Sequence, residues 1–283
     1  MSTIETKFDM TEAGLEFGLI FANYAWNTPY LHYGYFTDGL EPTPQNVLEA
    51  QERYTTFIFS HFPDDVKTVL DVGCGTGELA KQMVAKGLQV DVVSPGGFLT
   101  GKVKEKLAGS GAEVFNSFFE DVHTDKQYDL VMFSESFQYI PAQNALAQAS
   151  KFCKPGGHIL ACDFFKLKAE GKSPIGGGHD WAEYQEEVKK HPIEELKNID
   201  ITAETAPSLD VVDDFLERFA VPASLLIVRM VEHKAPWLVK LIKWKMGKKL
   251  EKTKYKYFER NINAESFAKH KTYRLLFYKN NKK

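Results

Sequence analysis

Thr68-Val69-Leu70-Asp71-Val72-Gly73-Cys74-Gly75-Thr76-Gly77-Glu78-Leu79-Ala80 runs from a short apolar segment into a glycine-dense turn and out into a helical pattern. Val69, Leu70 and Val72 suit a strand buried on both faces, because aliphatic and β-branched side chains fill a pleated surface covered by helices. Gly73, Gly75 and Gly77 lack a Cβ, so the turn can take positive φ and a ligand can lie directly against the backbone. The following helix aims unpaired N–H groups and a partial positive charge at whatever occupies the turn. Such a turn invites an anionic or carboxylate-bearing cofactor. Asp71 narrows the choice, since its carboxylate would repel a pyrophosphate and attract an ammonium group.

Downstream, short apolar strands alternate with helical segments, as in an α/β sheet. A second strand covers Leu88 to Val93 and leads into Ser94-Pro95-Gly96-Gly97, with Asp91 inside the strand and facing elsewhere. A third covers Ala112 to Asn116 and is followed by Phe118, Phe119, Glu120 and Asp121. Tyr128 to Phe133 is the fourth, and the loop beyond it holds Ser134, Glu135, Gln138 and Tyr139. Ligands of open α/β sheets bind beyond the carboxyl ends of the strands, which puts this loop beside a reaction site. A helix over Asn144 to Phe152, the turn Lys154-Pro155-Gly156-Gly157 and a fifth strand over His158 to Phe165 complete the run; His158 starts that strand at the end away from the site.

Asp-Val-Gly-Cys-Gly-Thr-Gly, with Lys-Pro-Gly-Gly before an apolar strand at the expected distance, resembles the class I S-adenosylmethionine-dependent methyltransferases. The resemblance covers about Tyr30 to Phe165 and the last strand. It implies a Rossmann-like, mostly parallel seven-stranded sheet with helices on both faces. It implies S-adenosyl-L-methionine as cofactor, held by Asp71, Gly73, Cys74, Gly75 and Gly77 at its amino-acid end. Ser94 stands where the family has the acid that binds the ribose hydroxyls. Phe118 stands near the place of the acid that binds adenine, with Phe119 and Glu120 beside it. Ser134 and Glu135 complete the expected cofactor contacts. No metal is implied.

Before the core, Asp9 to Trp26 reads as a helix with Thr11 as a candidate N-cap, stopped at Asn27-Thr28-Pro29. Tyr30-Leu31-His32-Tyr33-Gly34-Tyr35-Phe36 is too aromatic for a routine surface loop. It resembles the segment preceding the core in tocopherol, sterol and cyclopropane fatty acid methyltransferases. His32, Tyr33 and Tyr35 are therefore expected at the cavity, unless the segment is simply a hydrophobic staple. A helix from Gln45 to His61 follows. After the fifth strand, Gly171 to His179 reads as a mobile glycine-rich lid, with Asp180 either over the site or an N-cap of the next helix. Leu196 to Thr205 suits a sixth strand and Tyr273 to Tyr278 a seventh.

The residues between those strands are mostly helical. The organisation expected is an N-terminal segment (1–66), a cofactor-binding core (67–206), an inserted helical cap (207–270) and a final core strand (271–283). The run Val221 to Val231, with Phe215 and Phe219, is expected to roof a hydrophobic pocket. Trp237 to Met246 and the Lys-rich residues to Arg260 read as a helix that buries its Trp and Leu face on the cap. An interfacial membrane contact through 237–260 is the other reading.

At 283 residues, with 43% hydrophobic and 26% charged residues, the chain has the composition of an ordinary globular protein. A net charge of −3 argues against nucleic acid as the principal partner. Three cysteines, Cys74, Cys153 and Cys162, and a start without a signal pattern fit a reducing cytoplasm. The expected reaction is methyl transfer to a small, largely apolar O, N or C nucleophile. His32, Glu135, Tyr139 and His179 are the candidates for base or positioning work. The alternatives are an inactive S-adenosylmethionine-binding protein and a NAD-type oxidoreductase. The second is disfavoured by Asp71 and by the lack of an acid closing the second strand.

Overall fold

The structure is a computed structural model and describes residues 10–282. Helices α1 (Met10–Trp26) and α2 (Val47–Phe59) precede the sheet. Strands and helices then alternate as β1 (Thr68–Val72), α3 (Glu78–Ala85), β2 (Gln89–Val93), α4 (Gly97–Lys106), β3 (Val114–Phe115), β4 (Tyr128–Ser134), α5 (Ala142–Phe152) and β5 (Cys153–Lys166). After these come α6 (Trp181–Val188), β6 (Ile193–Asp200), α7 (Thr202–Thr205), α8 (Ser208–Phe215), α9 (Val221–Lys234), α10 (Pro236–Thr253), α11 (Ala264–His270) and β7 (Lys271–Asn280).

The seven strands form one sheet in the order β3-β2-β1-β4-β5-β7-β6. The first five are parallel, and β7 runs antiparallel to both β5 and β6. Successive side chains of a strand point to opposite faces, and the two core clusters follow that alternation. Val69, Leu130, Met132, Leu160, Cys162, Tyr273 and Leu275 enter one layer, whereas Leu70, Val72, Val131, Phe133, Ile159, Ala161 and Leu276 enter the other. Asp71 shares its strand face with Val69. It therefore points into the layer that also holds Tyr30, Tyr54 and Tyr273.

Several expected boundaries move. Asp9 lies outside the described residues, and Thr11 falls inside α1 rather than at its start. The sixth strand begins at Ile193 and stops at Asp200. There the Asp200 carboxylate accepts the Thr202 N–H at 3.0 Å and turns the chain into α7. Lys154-Pro155-Gly156-Gly157 belongs to β5 itself, as an irregularity across which pairing jumps from Tyr128↔Cys153 to Leu130↔His158. A Cβ on Gly157 would lie 2.9 Å from the Asp129 carbonyl oxygen, so only glycine fits that close approach.

The cap is rooted firmly and projects freely. At its root Arg260 donates to Asp213 at 2.6 Å and pairs with Glu217 at 2.9 Å, and the Ala264 N–H donates to Asp210 at 2.8 Å. Beyond a π-helical turn at Leu216–Ala220, α9 has no buried residue, and Leu225, Leu226, Ile227, Val228 and Met230 are each about half exposed or more. The apolar run from Val221 to Val231 thus does not roof a pocket. Nor is the tryptophan face of the following helix buried, since Trp237 is 66% and Trp244 82% exposed. α9 and α10 pack on each other as a helical hairpin.

Candidate active site

The glycine turn takes the conformation its composition allows. Gly73, Gly75 and Gly77 have φ of +72°, +55° and +75°. Gly73 is packed, because a Cβ there would collide with the Ser136 side chain, and Ser136 Oγ donates to the Val72 carbonyl. Gly77 is nearly as tight, with Val103 Cγ2 3.2 Å from the place of a Cβ. Gly75 differs: nothing stands within 4 Å of that place. The turn is therefore braced at both ends and open in the middle.

Beneath it, Asp71 is 1% exposed, and its Oδ2 is buried without a hydrogen-bond partner. Burial raises its pKa from the ordinary carboxylate range to about 7. An unsatisfied buried acceptor is destabilising by about 1–3 kcal/mol, and a carboxylate in that state calls for a cation. An orphaned carboxylate and an open glycine cradle together fit the ammonium end and backbone-bound carboxylate of an amino-acid-tailed ligand.

The aromatic segment lies across this turn and ties it to the rest of the molecule. Thr76 Oγ1 donates to the Pro29 carbonyl at 2.9 Å, and the Tyr33 N–H donates to Glu135 Oε1 at 2.6 Å. Further along, the Gly34 N–H donates to Ser208 Oγ at 2.9 Å and the Phe36 N–H to the Glu204 carbonyl at 2.8 Å, reaching α8 and α7. The segment is thus both a staple and a wall of the site. A Cβ on Gly34 would sit 2.6 Å from that of Ala50, so the bare backbone there is what lets the segment pass α2.

Glu135 is the hub of the polar cluster at the end of β4. It has a positive φ of 55°. Its Oε1 accepts from both the Tyr33 N–H and the Tyr273 hydroxyl, each at 2.6 Å. The Tyr54 hydroxyl lies 2.9 Å from that of Tyr273 and 3.4 Å from Ser134 Oγ. Burial raises the Glu135 carboxyl to about 8, with its two donors pulling the other way. His32 stacks on Tyr54 with ring centroids 4.5 Å apart. Its Nδ1 lies 2.8 Å from the Tyr33 carbonyl and so acts as donor, leaving Nε2 as a buried acceptor without a partner. Burial lowers its pKa to about 4, so the ring is neutral near pH 7.

Other expected residues are placed differently. Ser94 is buried at the end of β2, where its carbonyl accepts from Thr100 Oγ1 at 2.9 Å. Asp91 faces away, held by Lys126 at 2.7 Å and the Tyr128 hydroxyl at 2.8 Å. Phe118 is 65% exposed and Glu120 half-buried at the rim beyond β3. The Phe119 ring instead packs edge-on against Phe133 and Phe152 in the core, which withdraws it from the cofactor contacts. Tyr139 is 72% exposed on the 3-10 turn after β4. His179 does not join His32 and Glu135: its Nε2 donates to the Phe137 carbonyl at 3.2 Å and its ring packs on Phe137, in the opposite layer. Asp180 caps α6, accepting the Ala182 and Glu183 N–H groups.

The glycine-rich lid is pinned. Buried Lys271 donates from Nζ to the Gly177 carbonyl at 2.6 Å, and the Gly178 N–H donates to Gln138 Oε1 at 3.2 Å. Gln138 in turn donates from its backbone and side chain to Asp163, at 2.9 and 3.1 Å. Sequence reasoning missed Asp163 and Tyr273 because each lies inside an expected strand, and Lys271 because it stands in a polar run just before one. Gly178→Val should lower stability by roughly 2 kcal/mol or more. Its φ is +77° and its Cβ would meet the Phe164 carbonyl oxygen at 2.8 Å; an unchanged melting temperature would show that the loop is not held as described.

The strand order, with antiparallel β7 between β5 and β6, and the open glycine turn at the mouth of β1 are those of the class I methyltransferase fold. Residues 48–199, more than half of the chain, match the methyltransferase domain family, and the chain belongs to it. That family uses S-adenosylmethionine, and membership sets aside the oxidoreductase alternative. Among its relatives is a malonyl-[acyl-carrier protein] O-methyltransferase 2 of Ilyobacter polytropus, 30% identical over 115 residues, covering 38% of this chain and 44% of that protein. Another is the ubiquinone biosynthesis O-methyltransferase of Vibrio atlanticus, 33% identical over 100 residues and covering 33% and 42%. The chain thus spans less than half the length of these curated relatives. Geranyl diphosphate C-methyltransferase from Streptomyces coelicolor, solved with S-adenosyl-L-homocysteine, shares the fold with a TM-score of 0.68 at 11% identity, covering 96% of this chain and 98% of that one.

Proposed function

We propose that this chain transfers the methyl group of S-adenosyl-L-methionine to a small, largely apolar acceptor through an oxygen, nitrogen or carbon nucleophile. The observation that carries the reading is the orphaned Asp71 carboxylate beneath the open Gly75 cradle. Asp71 would hold the cofactor's ammonium group and the amides of the turn its carboxylate. Phe118 offers a face for the adenine ring. When bound, the cofactor supplies an already activated methyl on a positively charged sulfur.

The protein's own task is alignment, which can supply roughly 7–11 kcal/mol of a barrier. Tyr33, His32, Tyr54 and Tyr273 form the aromatic wall that would position the acceptor, and the free Nε2 of neutral His32 can take a hydrogen bond from it. A wall of this composition favours a lipid, isoprenoid or phenol over a charged acceptor, and the relatives named above range from a malonyl-[acyl-carrier protein] O-methyltransferase to a ubiquinone biosynthesis O-methyltransferase. The free thiols Cys74, Cys153 and Cys162 support a reducing, cytoplasmic setting. The inactive-binder alternative draws on Ser94 and Phe118, where no carboxylate closes β2 or faces the adenine position. Transfer of tritiated methyl from the cofactor into a cell extract separates the two; binding without any incorporation would leave only the inactive reading.

The pH dependence of binding tests the site itself. Because burial raises the Asp71 carboxyl to about 7 in the ligand-free fold, at lower pH the carboxyl must lose its proton before it can hold an ammonium ligand. The affinity for S-adenosylhomocysteine should therefore fall about tenfold per pH unit below 7 and level off above it. Calorimetry in buffers of different ionisation enthalpy should show proton release on binding at pH 6. Asp71→Asn should weaken binding by about 10–100-fold and abolish that pH dependence. A pH-independent affinity would remove Asp71 from the site.

The same shift sets stability. Folding raises the carboxyl pKa of Asp71 and Asp163 to about 7 and of Glu135 to about 8. The folded state thus binds more protons than the unfolded one across the interval between the ordinary values and these. The stability of the ligand-free protein should therefore decline as pH rises from about 6.5 to about 8, above the range in which the burial of neutral His32 works in the opposite direction, by a few kcal/mol in order of magnitude. Thermal denaturation at about pH 6.5, 7, 7.5 and 8 checks this, and a flat or rising profile contradicts the assigned burial.

A further inference from the structure

The α9–α10 hairpin concentrates two properties that rarely coincide. Between Val221 and Phe258 stand ten Lys and Arg residues against two Glu, in a chain whose net charge is −3. Among the described residues, the same segment carries most of the large apolar side chains left exposed, including Leu226, Ile227, Met230, Trp237, Leu241, Ile242, Trp244 and Met246. Trp237, Leu241 and Trp244 recur at i, i+4 and i+7, which places them on one face of α10. Lys240 and Lys245 flank that face, and Lys248 continues it one turn beyond Trp244. A second exposed stripe, Phe17, Ile20 and Tyr24 of α1, stands beside the hairpin's foot, where Phe21 packs on Phe215 at 4.6 Å.

We propose that this hairpin is a membrane-docking element that lies flat on an anionic lipid bilayer. Charge complementarity identifies the occupant: the cationic segment of an acidic protein meets a surface of negative headgroups, to which each lysine adds binding. The exposed tryptophans separate this surface from one built for nucleic acid. Indole rings beside lysines suit the boundary between headgroups and acyl chains, with lysine stems reaching back to the phosphates. Among the described residues no helix is long and apolar enough to cross a membrane, so the contact is peripheral. The firm root at Arg260, Asp213 and Glu217 leaves the hairpin projecting, able to engage a flat surface without disturbing the site. The proposal rests on the hairpin alone and not on the assigned chemistry.

The test uses the full chain with two sets of vesicles, phosphatidylcholine alone and phosphatidylcholine with about 30 mol% phosphatidylglycerol. The chain should co-sediment with the anionic vesicles at low salt, shift its tryptophan emission to the blue, and release at about 0.5 M salt, where the screening length is a few ångströms. Trp237→Ser with Trp244→Ser should abolish most of the emission shift and weaken binding about tenfold or more. Lys243→Gln with Lys248→Gln should weaken it about thirtyfold. All four side chains are exposed, so melting temperature and S-adenosylhomocysteine affinity should stay at their wild-type values. Failure to bind anionic vesicles at low salt would overturn the proposal. So would binding of an RNA homopolymer in preference to vesicles, or a dimer that the tryptophan variant splits while vesicle binding is unaffected.

Discussion

Gly75→Leu should fold and should bind no measurable S-adenosylhomocysteine. The φ of +55° imposes about 1–2 kcal/mol of strain on any residue with a Cβ, a tolerable loss for a domain of this size. The new side chain meets no protein atom, because nothing lies within 4 Å of the place its Cβ would take. It would project instead into the space where a ligand must approach the backbone. Gly73→Ala provides the contrast, since its Cβ would fall onto the Ser136 side chain and disturb the fold whether or not ligand is present. Calorimetry and thermal denaturation of the two variants separate a blocked cradle from a broken turn. Wild-type affinity in a folded Gly75→Leu protein would leave the proposed site without support.

Glu135→Ala is expected to have the largest effect on the fold of any single substitution in the polar cluster. It removes the acceptor of two buried donors, the Tyr33 N–H and the Tyr273 hydroxyl. Each donor left unpaired is destabilising by about 1–3 kcal/mol, so a total of roughly 2–6 kcal/mol is expected. That corresponds to a fall in Tm of about 5–15 °C. Glu135→Gln retains an oxygen that can accept both bonds and should recover most of the loss. The Ala variant should also loosen the aromatic segment over the cradle, weakening S-adenosylhomocysteine binding beyond what the stability loss alone explains. A Tm within about 1 °C of wild type would show that Glu135 does not join the N-terminal segment to β7.

The strand, turn and helix around Gly75 were legible because their chemistry is local. Three glycines and an aspartate within seven residues constrain the backbone by themselves, wherever the rest of the chain goes. The alternation of strands to β5 was legible for the same reason. The bond from Tyr273 to Glu135 and that from Lys271 to the Gly177 carbonyl were not, because both residues reach the site only through the antiparallel pairing of β7 with β5, which sets Phe164 opposite Tyr273. Nothing in a run such as Lys271-Thr272-Tyr273-Arg274-Leu275 marks two of its residues as part of a polar cluster. The hairpin shows a different limit. An amphipathic pattern gives the period of a helix but not what faces its apolar side, so Val221 to Val231 reads equally well as a roof or as a projecting arm. His179 illustrates a third: it lies in the loop between β5 and α6, and the side of the sheet it serves is set by tertiary contacts, the Lys166 N–H donating to its carbonyl at 2.7 Å and its ring packing on Phe137.

The place of β7 also bears on how the molecule is made. It is synthesised after β6 and yet occupies an interior position, and β6 has no other neighbour in the sheet. Until it arrives, a nascent chain carries β5 as an open flank with Ile159, Leu160 and Cys162 unpaired along it. Ribosome-bound intermediates of this protein should therefore be sticky until late, and chaperone dependence should ease abruptly once the stretch ending at Asn280 clears the exit tunnel.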